Sequence, residues 1–191
     1  LEFRRVLFRS LVLSGASDYS GSTTVSGGVL RVDGAVTSAV SVNGGTLGGN
    51  GSTGPIVVDG NGMVAPGASI GDLTVSGATF TDGTLSVELG GSGVDTLIVN
   101  GDLDLTSGNG TLWLEPTAGW IGFSADPILQ VSGTTSDWFD AVYYDGVLVS
   151  APFESTGTGK LAWEGGNLLL VPEPASGLLL GLAGLLILRR R

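Results

Sequence analysis

The sequence predicts an all-β fold, a right-handed parallel β-helix of stacked short strands followed by a C-terminal hydrophobic helix. Three observations predict this fold, two from composition and one from the spacing of a repeat. Glycine accounts for 34 of the 191 residues, well above the usual share of about 7%. Glycine and asparagine accept the backbone angles of tight turns, whereas the abundant valine and threonine favour extended strands. Short β-branched segments between turns are therefore expected.

The third observation is a sequence repeat at nearly constant spacing. Segments 25–30 and 42–47 superpose, and Val25, Val42, Val58 and Val75 follow one another at almost equal intervals along the chain. Each unit holds too few apolar residues to bury its own face, so neighbouring units must stack. A β-sandwich is the main alternative, but it would show longer strands with regular alternation.

Residues 11–114 resemble the autotransporter-associated β-strand repeat. The sequence similarity is carried by segments 11–28, 43–49, 65–67, 85–89 and 95–99. Members of that family form the β-helical stalks of secreted passenger domains. The resemblance therefore implies the same architecture that the spacing predicts.

Four regions are expected along the chain. Residues 1–10 carry three arginines, lack an initiator methionine and hold too short an apolar run for a secretory signal, so they are interpreted as a non-native leader. The repeat region 11–114 is followed by an irregular β capping region, 115–170, and by a sorting signal, 171–191. An export signal is inferred rather than seen.

The capping region is expected to cover the open end of the coil, because an exposed last rung is a sheet edge. Its predicted strands are 128–131, 141–144, 147–149 and 167–171. An alternative is a carbohydrate-binding platform, since flat rings stack on sugar faces. The aromatic side chains concerned are Trp113, Trp120, Phe123, Trp138, Phe139, Tyr143, Tyr144, Phe153 and Trp163.

The C-terminal tail has an uncharged apolar segment, 175–188, before the final residues Arg189, Arg190 and Arg191. As a helix it would span about 21 Å, short of a hydrocarbon core of about 30 Å. The arginines can snorkel to the headgroups and should stay on the cytoplasmic side, which places the acidic body outside the membrane. A buried core helix is the alternative.

A Pro-Glu-Pro tripeptide, an apolar segment and a terminal basic cluster follow one another over residues 171–191. This order resembles the PEP-CTERM sorting signal. Proteins that carry it are exported by bacteria with a double membrane and processed by an exosortase, an integral membrane cysteine protease or transpeptidase. The resemblance implies that Pro172, Glu173 and Pro174 are the recognised motif. Both prolines restrict the backbone, so the motif is expected to be extended and accessible.

Charge and composition exclude several functions. The net charge is −10, and the body between the two arginine-rich ends carries only Arg31 and Lys160 as basic residues. Phosphate would be repelled, so no nucleic-acid partner is expected. The chain has neither histidine nor cysteine, which removes Ser-His and Cys-His catalysis and the commonest metal ligand. We therefore expect no cofactor, no metal and no enzymatic activity.

Three sequence motifs match known binding or catalytic patterns but lack the context that these patterns need. Residues 49–54 fit G-x-G-x-x-G, but a strand follows where a dinucleotide site needs a helix. Residues 90–98 fit the calcium-binding nonapeptide, yet only one copy is present, which favours a turn. Asp102 and Asp104 lie at alternate positions, as a glycosidase pair would, but no neighbouring base or cleft accompanies them.

The sequence therefore favours an exported structural or adhesive protein of the cell surface or the extracellular matrix, such as that of a biofilm. Its tail would insert transiently in the inner membrane, with an exosortase as processing partner. A polysaccharide-binding module is the first alternative and predicts an exposed aromatic strip between Trp113 and Trp163. A β-helical polysaccharide-degrading enzyme is the second and requires carboxylates that converge in a cleft.

Overall fold

The computed structural model describes residues 10–106, 109–120, 124–149 and 159–172. All regular secondary structure in these ranges is β-strand. The strands, in chain order, are β1 (Ser10–Leu13), β2 (Ala16–Ser17), β3 (Thr23–Val25), β4 (Val29–Val32), β5 (Ala35–Val36), β6 (Val40–Val42), β7 (Thr46–Gly49), β8 (Ser52–Thr53), β9 (Ile56–Val58), β10 (Met63–Pro66), β11 (Asp72–Val75), β12 (Ala78–Phe80), β13 (Thr84–Gly90), β14 (Gly93–Val94), β15 (Thr96–Val99), β16 (Leu103–Asp104), β17 (Thr111–Pro116), β18 (Leu129–Val131), β19 (Thr135–Ser136), β20 (Ala141–Tyr144), β21 (Val147–Val149), β22 (Gly159–Glu164) and β23 (Asn167–Pro172).

The strands form three sheets, and the parallel coils contribute one strand to each sheet. β14 lies off this path and pairs antiparallel with β13 in sheet 1. Sheet 1 has the order β1-β4-β7-β10-β13-β17-β20-β21, sheet 2 the order β2-β5-β8-β11-β15-β18-β23-β22, and sheet 3 the order β3-β6-β9-β12-β16-β19. Successive coils pair in parallel, as in β1 with β4 and β3 with β6. A sandwich of antiparallel hairpins would not pair this way. The prediction of an all-β stack of parallel coils is confirmed. The right-handed sense of the coil stays a prediction, which rests on the general preference of parallel strands for right-handed connections.

The register explains the repeat seen in the sequence. Val25 pairs with Val42, and Val42 pairs with Val58, so the first two intervals are confirmed. The third interval, from Val58 to Val75, is wrong as a repeat of the coil. Val58 pairs with Phe80, whereas Val75 lies in sheet 2 beside Thr53. The cause is a longer corner, since five residues, 67–71, connect β10 to β11 where two, 50 and 51, connect β7 to β8.

The core is a set of aliphatic columns that run through the coils. In sheet 1 the column is in register from one coil to the next, and its members from the third coil onward are fully buried. A fully buried Leu or Val side chain is worth about 1.5–3 kcal/mol, and here each rests on the rungs above and below. The inward column of sheet 1 consists of Leu11, Leu30, Leu47, Val64, Leu85, Leu112 and Val142.

Corners between sheets bring the backbones of neighbouring coils into close approach. Gly49, at the end of β7, has a φ of 108°, and a Cβ at this position would collide with the carbonyl oxygen of Val32 in the coil below. Only glycine meets both conditions without strain. The glycine content thus reflects coil stacking as well as turn geometry.

Parallel pairing continues past residue 114. β17 pairs with β20 and β15 with β18, both in parallel. Antiparallel pairing then takes over, because β21 folds back on β20 and the β22–β23 hairpin joins sheet 2 through β18. Phe139 is buried at this end, with its ring edge-on to Phe80 at a centroid distance of 5.9 Å. The proposed division of the chain at residue 115 stays a prediction.

Several sequence predictions lie outside the described residues. They concern the leader (residues 1–9), two of the aromatic side chains, the apolar segment and part of the sorting motif. No helix in the described ranges is long and apolar enough to cross a membrane. The residues concerned are Phe123, Phe153, Glu173, Pro174, 175–188, Arg189, Arg190 and Arg191.

Truncating one member of the column tests the packing. We expect Leu85→Ala to lower the free energy of unfolding by about 2–5 kcal/mol, because it leaves a cavity between two coils. Val57→Ala, at an outward position that is 42% exposed, should change it by about 0.5 kcal/mol or less. Urea unfolding followed by circular dichroism measures both, and equal losses would contradict the described core.

Candidate functional site

The outer surface of sheet 1 carries a groove with a cavity volume of about 410 Å³. Its floor is made of outward positions on successive strands, with Gly48 and Ala65 at the centre. Its walls are the corner that follows β10 and the end of β13, where Glu88 lies. Ligand sites usually measure about 300–1,000 Å³. We call this feature the sheet 1 groove.

One wall of the sheet 1 groove is acidic. Glu88 and Glu115 are in-register partners on adjacent parallel strands, so their Cα atoms are roughly 4.8 Å apart and both carboxylates lie on the outer face. Glu115 also accepts a hydrogen bond from Ser86 Oγ at 3.0 Å. Like charges placed opposite each other on a sheet repel. The wall therefore presents concentrated negative charge.

At its opposite end the groove is lined by Arg31. Arg31 Nε donates to Asp33 Oδ1 at 2.8 Å. This is the only ion pair among the side chains that the structure describes. The charge of Arg31 is thus engaged locally, and no described basic side chain pairs with Glu88 or Glu115.

Asp95 holds the wall in place. Its side chain is 2% exposed, and its two carboxylate oxygens accept the backbone N–H groups of Gly71 and Glu88, each at 2.9 Å. Burial raises the pKa of Asp95 to about 7, against the two backbone hydrogen bonds that lower it. The side chain ties the corner after β10 to β13. Within the nonapeptide motif 90–98 it therefore has the bonding expected of a turn residue.

Two aromatic rings extend the outer face of sheet 1 beyond the groove. Trp113 and Tyr143 are in-register partners on β17 and β20, and their rings stack at a centroid distance of 5.3 Å and an angle of 27°. On its other side Trp113 is in register with Ser86, which lines the groove. We call this pair the aromatic ladder. It lies directly beside the sheet 1 groove.

The other aromatic side chains of this region that the structure describes lie elsewhere. Trp138, which is 38% exposed, meets Trp163 of β22 edge-on at 6.0 Å. Trp120 Nε1 donates to Tyr144 Oη at 3.1 Å. Phe139 is buried. The described aromatic side chains between Trp113 and Trp163 are thus divided among separate clusters, whereas the polysaccharide alternative predicts one exposed strip.

The carboxylates of Asp102 and Asp104 accept hydrogen bonds from residues in turns between the strands. Asp102 Oδ1 accepts the N–H and the hydroxyl of Thr134 in the next coil, at 2.7 and 2.8 Å. Asp104 Oδ1 accepts the N–H and the hydroxyl of Thr106, at 2.9 and 2.6 Å. These bonds hold the pKa of both carboxyls below the ordinary range. This bonding favours a structural role over that of a paired acid and base.

The glycine-rich segment 49–54 and the start of the sorting motif both lie in or next to strands. Segment 49–54 runs from the end of β7 through β8 and is followed by strand β9, as the sequence predicted. Pro172 is the last residue of β23, where its backbone pairs with Gly159. The rest of the sorting motif and the arginine cluster lie outside the described residues.

Sequence reasoning missed the sheet 1 groove. A signal existed, because Leu85-Ser86-Val87-Glu88 and Leu112-Trp113-Leu114-Glu115 share apolar residues at alternate positions and an acid at the fourth. The two segments are in-register partners, but they lie further apart along the chain than the repeat that guided the prediction. Because the coil between these two segments is longer than the repeat, their alignment was not recognised from the sequence.

Comparison with known protein families shows a similarity at the start of the coiled body. Residues 10–32 match the family model of the passenger-associated-transport-repeat, an autotransporter-associated repeat. The matched segment spans β1 to β4, the first coil and the start of the second. It indicates a surface or exported protein, and the resemblance to autotransporter repeats is confirmed over this segment. No curated protein matches the chain.

The pKa of Asp95 predicts a pH-dependent stability. A folded-state pKa of about 7 lies above the ordinary value of 3.8, so the folded protein holds a proton that the unfolded chain releases. The resulting stability is present below about pH 4 and is lost as the pH rises through 7. We expect the free energy of unfolding to fall by about 2 kcal/mol between pH 5 and pH 8. The sequence contains no histidine, the residue that would ordinarily titrate between pH 5 and pH 8.

Two variants isolate the effect. Asp95→Asn cannot ionise and should flatten the pH profile, whereas Asp82→Asn, at an exposed position, should keep the slope of the parent protein. Urea unfolding at pH 5, 6, 7 and 8 measures all three proteins. An unchanged slope in Asp95→Asn would show that Asp95 is not the titrating group.

Proposed function

We propose that this protein is an exported structural or adhesive component of the bacterial cell surface or extracellular matrix, with the stacked coils as a stalk. The observation that carries the proposal is the in-register stack of parallel coils, whose first strands match an autotransporter-associated repeat. The interior is filled by aliphatic columns, so such a body acts through its length and its outer surfaces.

The dimensions suit a spacer. Seven strands of sheet 1, from β1 to β20, stack in parallel, and six strand spacings amount to roughly 29 Å. Each coil contacts mainly its immediate neighbours, so the length of such a stack grows by adding coils. A stalk needs no catalytic group, and the acids that sequence reasoning weighed as catalysts, Asp102 and Asp104, are engaged in turns.

Residues 171–191 are proposed as a PEP-CTERM sorting signal. An exosortase would recognise Pro172, Glu173 and Pro174 while the apolar segment is transiently inserted in the inner membrane. Arg189, Arg190 and Arg191 would stay on the cytoplasmic side. Strand β23 ends at Pro172, so cleavage beyond the motif would leave every described strand intact. The mature protein would then reach the surface or the matrix with its fold unchanged.

Polysaccharide is the proposed extracellular partner, and nucleic acid is not. The net charge of −10 repels phosphate, whereas the aromatic ladder offers ring faces on the outer surface. This second role is compatible with the first. A stalk that binds matrix polysaccharide is an adhesive component.

The sorting proposal is tested by expressing the complete gene in strains with and without an exosortase. We expect the mass of the tail to be lost, and the product to reach the surface or the medium, only where the exosortase is present. Alanine at Pro172, Glu173 and Pro174 together should abolish processing, whereas Glu164→Ala, an exposed acid of β22, should leave it intact. An unprocessed tail in both strains would remove the sorting proposal.

A further inference from the structure

The outer face of sheet 1 carries a row of side chains whose size changes along the stack. Small residues occupy the middle and form the groove, and large residues follow at the C-terminal end. From β7 to β20 the row crosses four strand spacings, roughly 19 Å, which is a length that suits an extended chain. The row consists of Val12, Arg31, Gly48, Ala65, Ser86, Trp113, Tyr143 and Leu148, in which Ala65 and Ser86 each directly follow the in-register pair Val64 and Leu85.

Trp113 is positioned as a ring platform at the end of the groove. One face of its indole stacks on Tyr143, and its in-register neighbour on the other side is the small residue Ser86. The second face of the indole is therefore on the side of Ser86, a residue that lines the groove, whereas Trp113 itself lies beside the groove and not in its lining. Such a face attracts a cation that lies within about 6 Å of the ring centroid.

The acidic wall supplies the charge that such a ligand needs. Glu88 and Glu115 lie side by side, and none of the basic side chains that the structure describes pairs with either. A cation between them would relieve their repulsion and donate charge-assisted hydrogen bonds. The chain as a whole carries a charge of −10, so an acidic polysaccharide would be repelled.

We propose that the sheet 1 groove and the aromatic ladder bind an amino-sugar polysaccharide. Its sugar ring stacks on Trp113, and its ammonium groups lie against Glu88 and Glu115. The inference rests on the proposed adhesive function, and it names both the surface and the chemical class of the partner. The proposed occupant is a polymer, because it must contact both the sheet 1 groove and the aromatic ladder, which lie side by side on one face of the stack.

Isothermal titration calorimetry on the purified full chain tests the proposal. The probes are a glucosamine hexamer, an N-acetylglucosamine hexamer and a galacturonic acid hexamer. We expect the glucosamine hexamer to bind, with an affinity that falls as salt rises, and the galacturonic acid hexamer not to bind. The acetylated hexamer, which lacks the ammonium groups, should bind at least about tenfold more weakly.

Four variants locate the site. Trp113→Ala and Glu88→Gln should each weaken glucosamine binding about tenfold. Ala65→Arg fills the groove without removing a native contact between coils and should abolish binding. Trp138→Ala removes an exposed tryptophan that contacts Trp163 instead and should bind like the parent protein. Circular dichroism confirms that each variant is folded.

Equal binding of the glucosamine and acetylated hexamers, or binding of the galacturonic acid hexamer, would overturn the charge argument. Glucosamine binding that survives Ala65→Arg would place the ligand elsewhere, and no binding at all would reject the proposal. The assay uses purified protein and needs no processing. Loss of binding is therefore distinguishable from failure of the sorting proposal, which is read from mass and location in cells.

Discussion

The packing of each inward aliphatic side chain on its counterpart one coil away is the interaction on which the rest of the structure depends. A single coil offers only a few apolar residues and cannot bury them alone. Stacking buries them on both sides, as in the column that contains Leu47, Val64 and Leu85. The backbones must then approach closely at the corners, which explains why Gly49 has no room for a Cβ.

The same register that stacks leucines inside also stacks side chains outside, whether or not the contact is favourable. Trp113 meets Tyr143 through it and gains ring stacking, whereas Glu88 meets Glu115 and incurs repulsion. The interior columns fix this register, so the outer face is free to carry groups that do not contribute to stability. Binding properties are therefore expected on the outer faces of the sheets, and the fold itself constrains them little.

The regular part of the fold was predictable because its signal is local. Val25, Val42 and Val58 repeat at nearly constant spacing, and their pairing follows directly. The longer corner of residues 67–71 broke that spacing and moved Val75 to another sheet. The sheet 1 groove was not predictable from the repeat alone, because it joins residues of several coils of unequal length. It also depends on a buried acid, Asp95, that ties β13 to the corner before β11 through Glu88 and Gly71.

In-register parallel stacking can be measured directly in solution, because the chain contains no cysteine. Ser41 and Val57 are outward partners on adjacent strands of sheet 3, and a spacing of about 4.8 Å lies within the Cα range of a disulfide. The double variant Ser41→Cys with Val57→Cys should cross-link on mild oxidation. Thr24→Cys with Val57→Cys, two coils apart at roughly 10 Å, should not. Cross-linking of the second pair but not of the first would contradict the stacked coil.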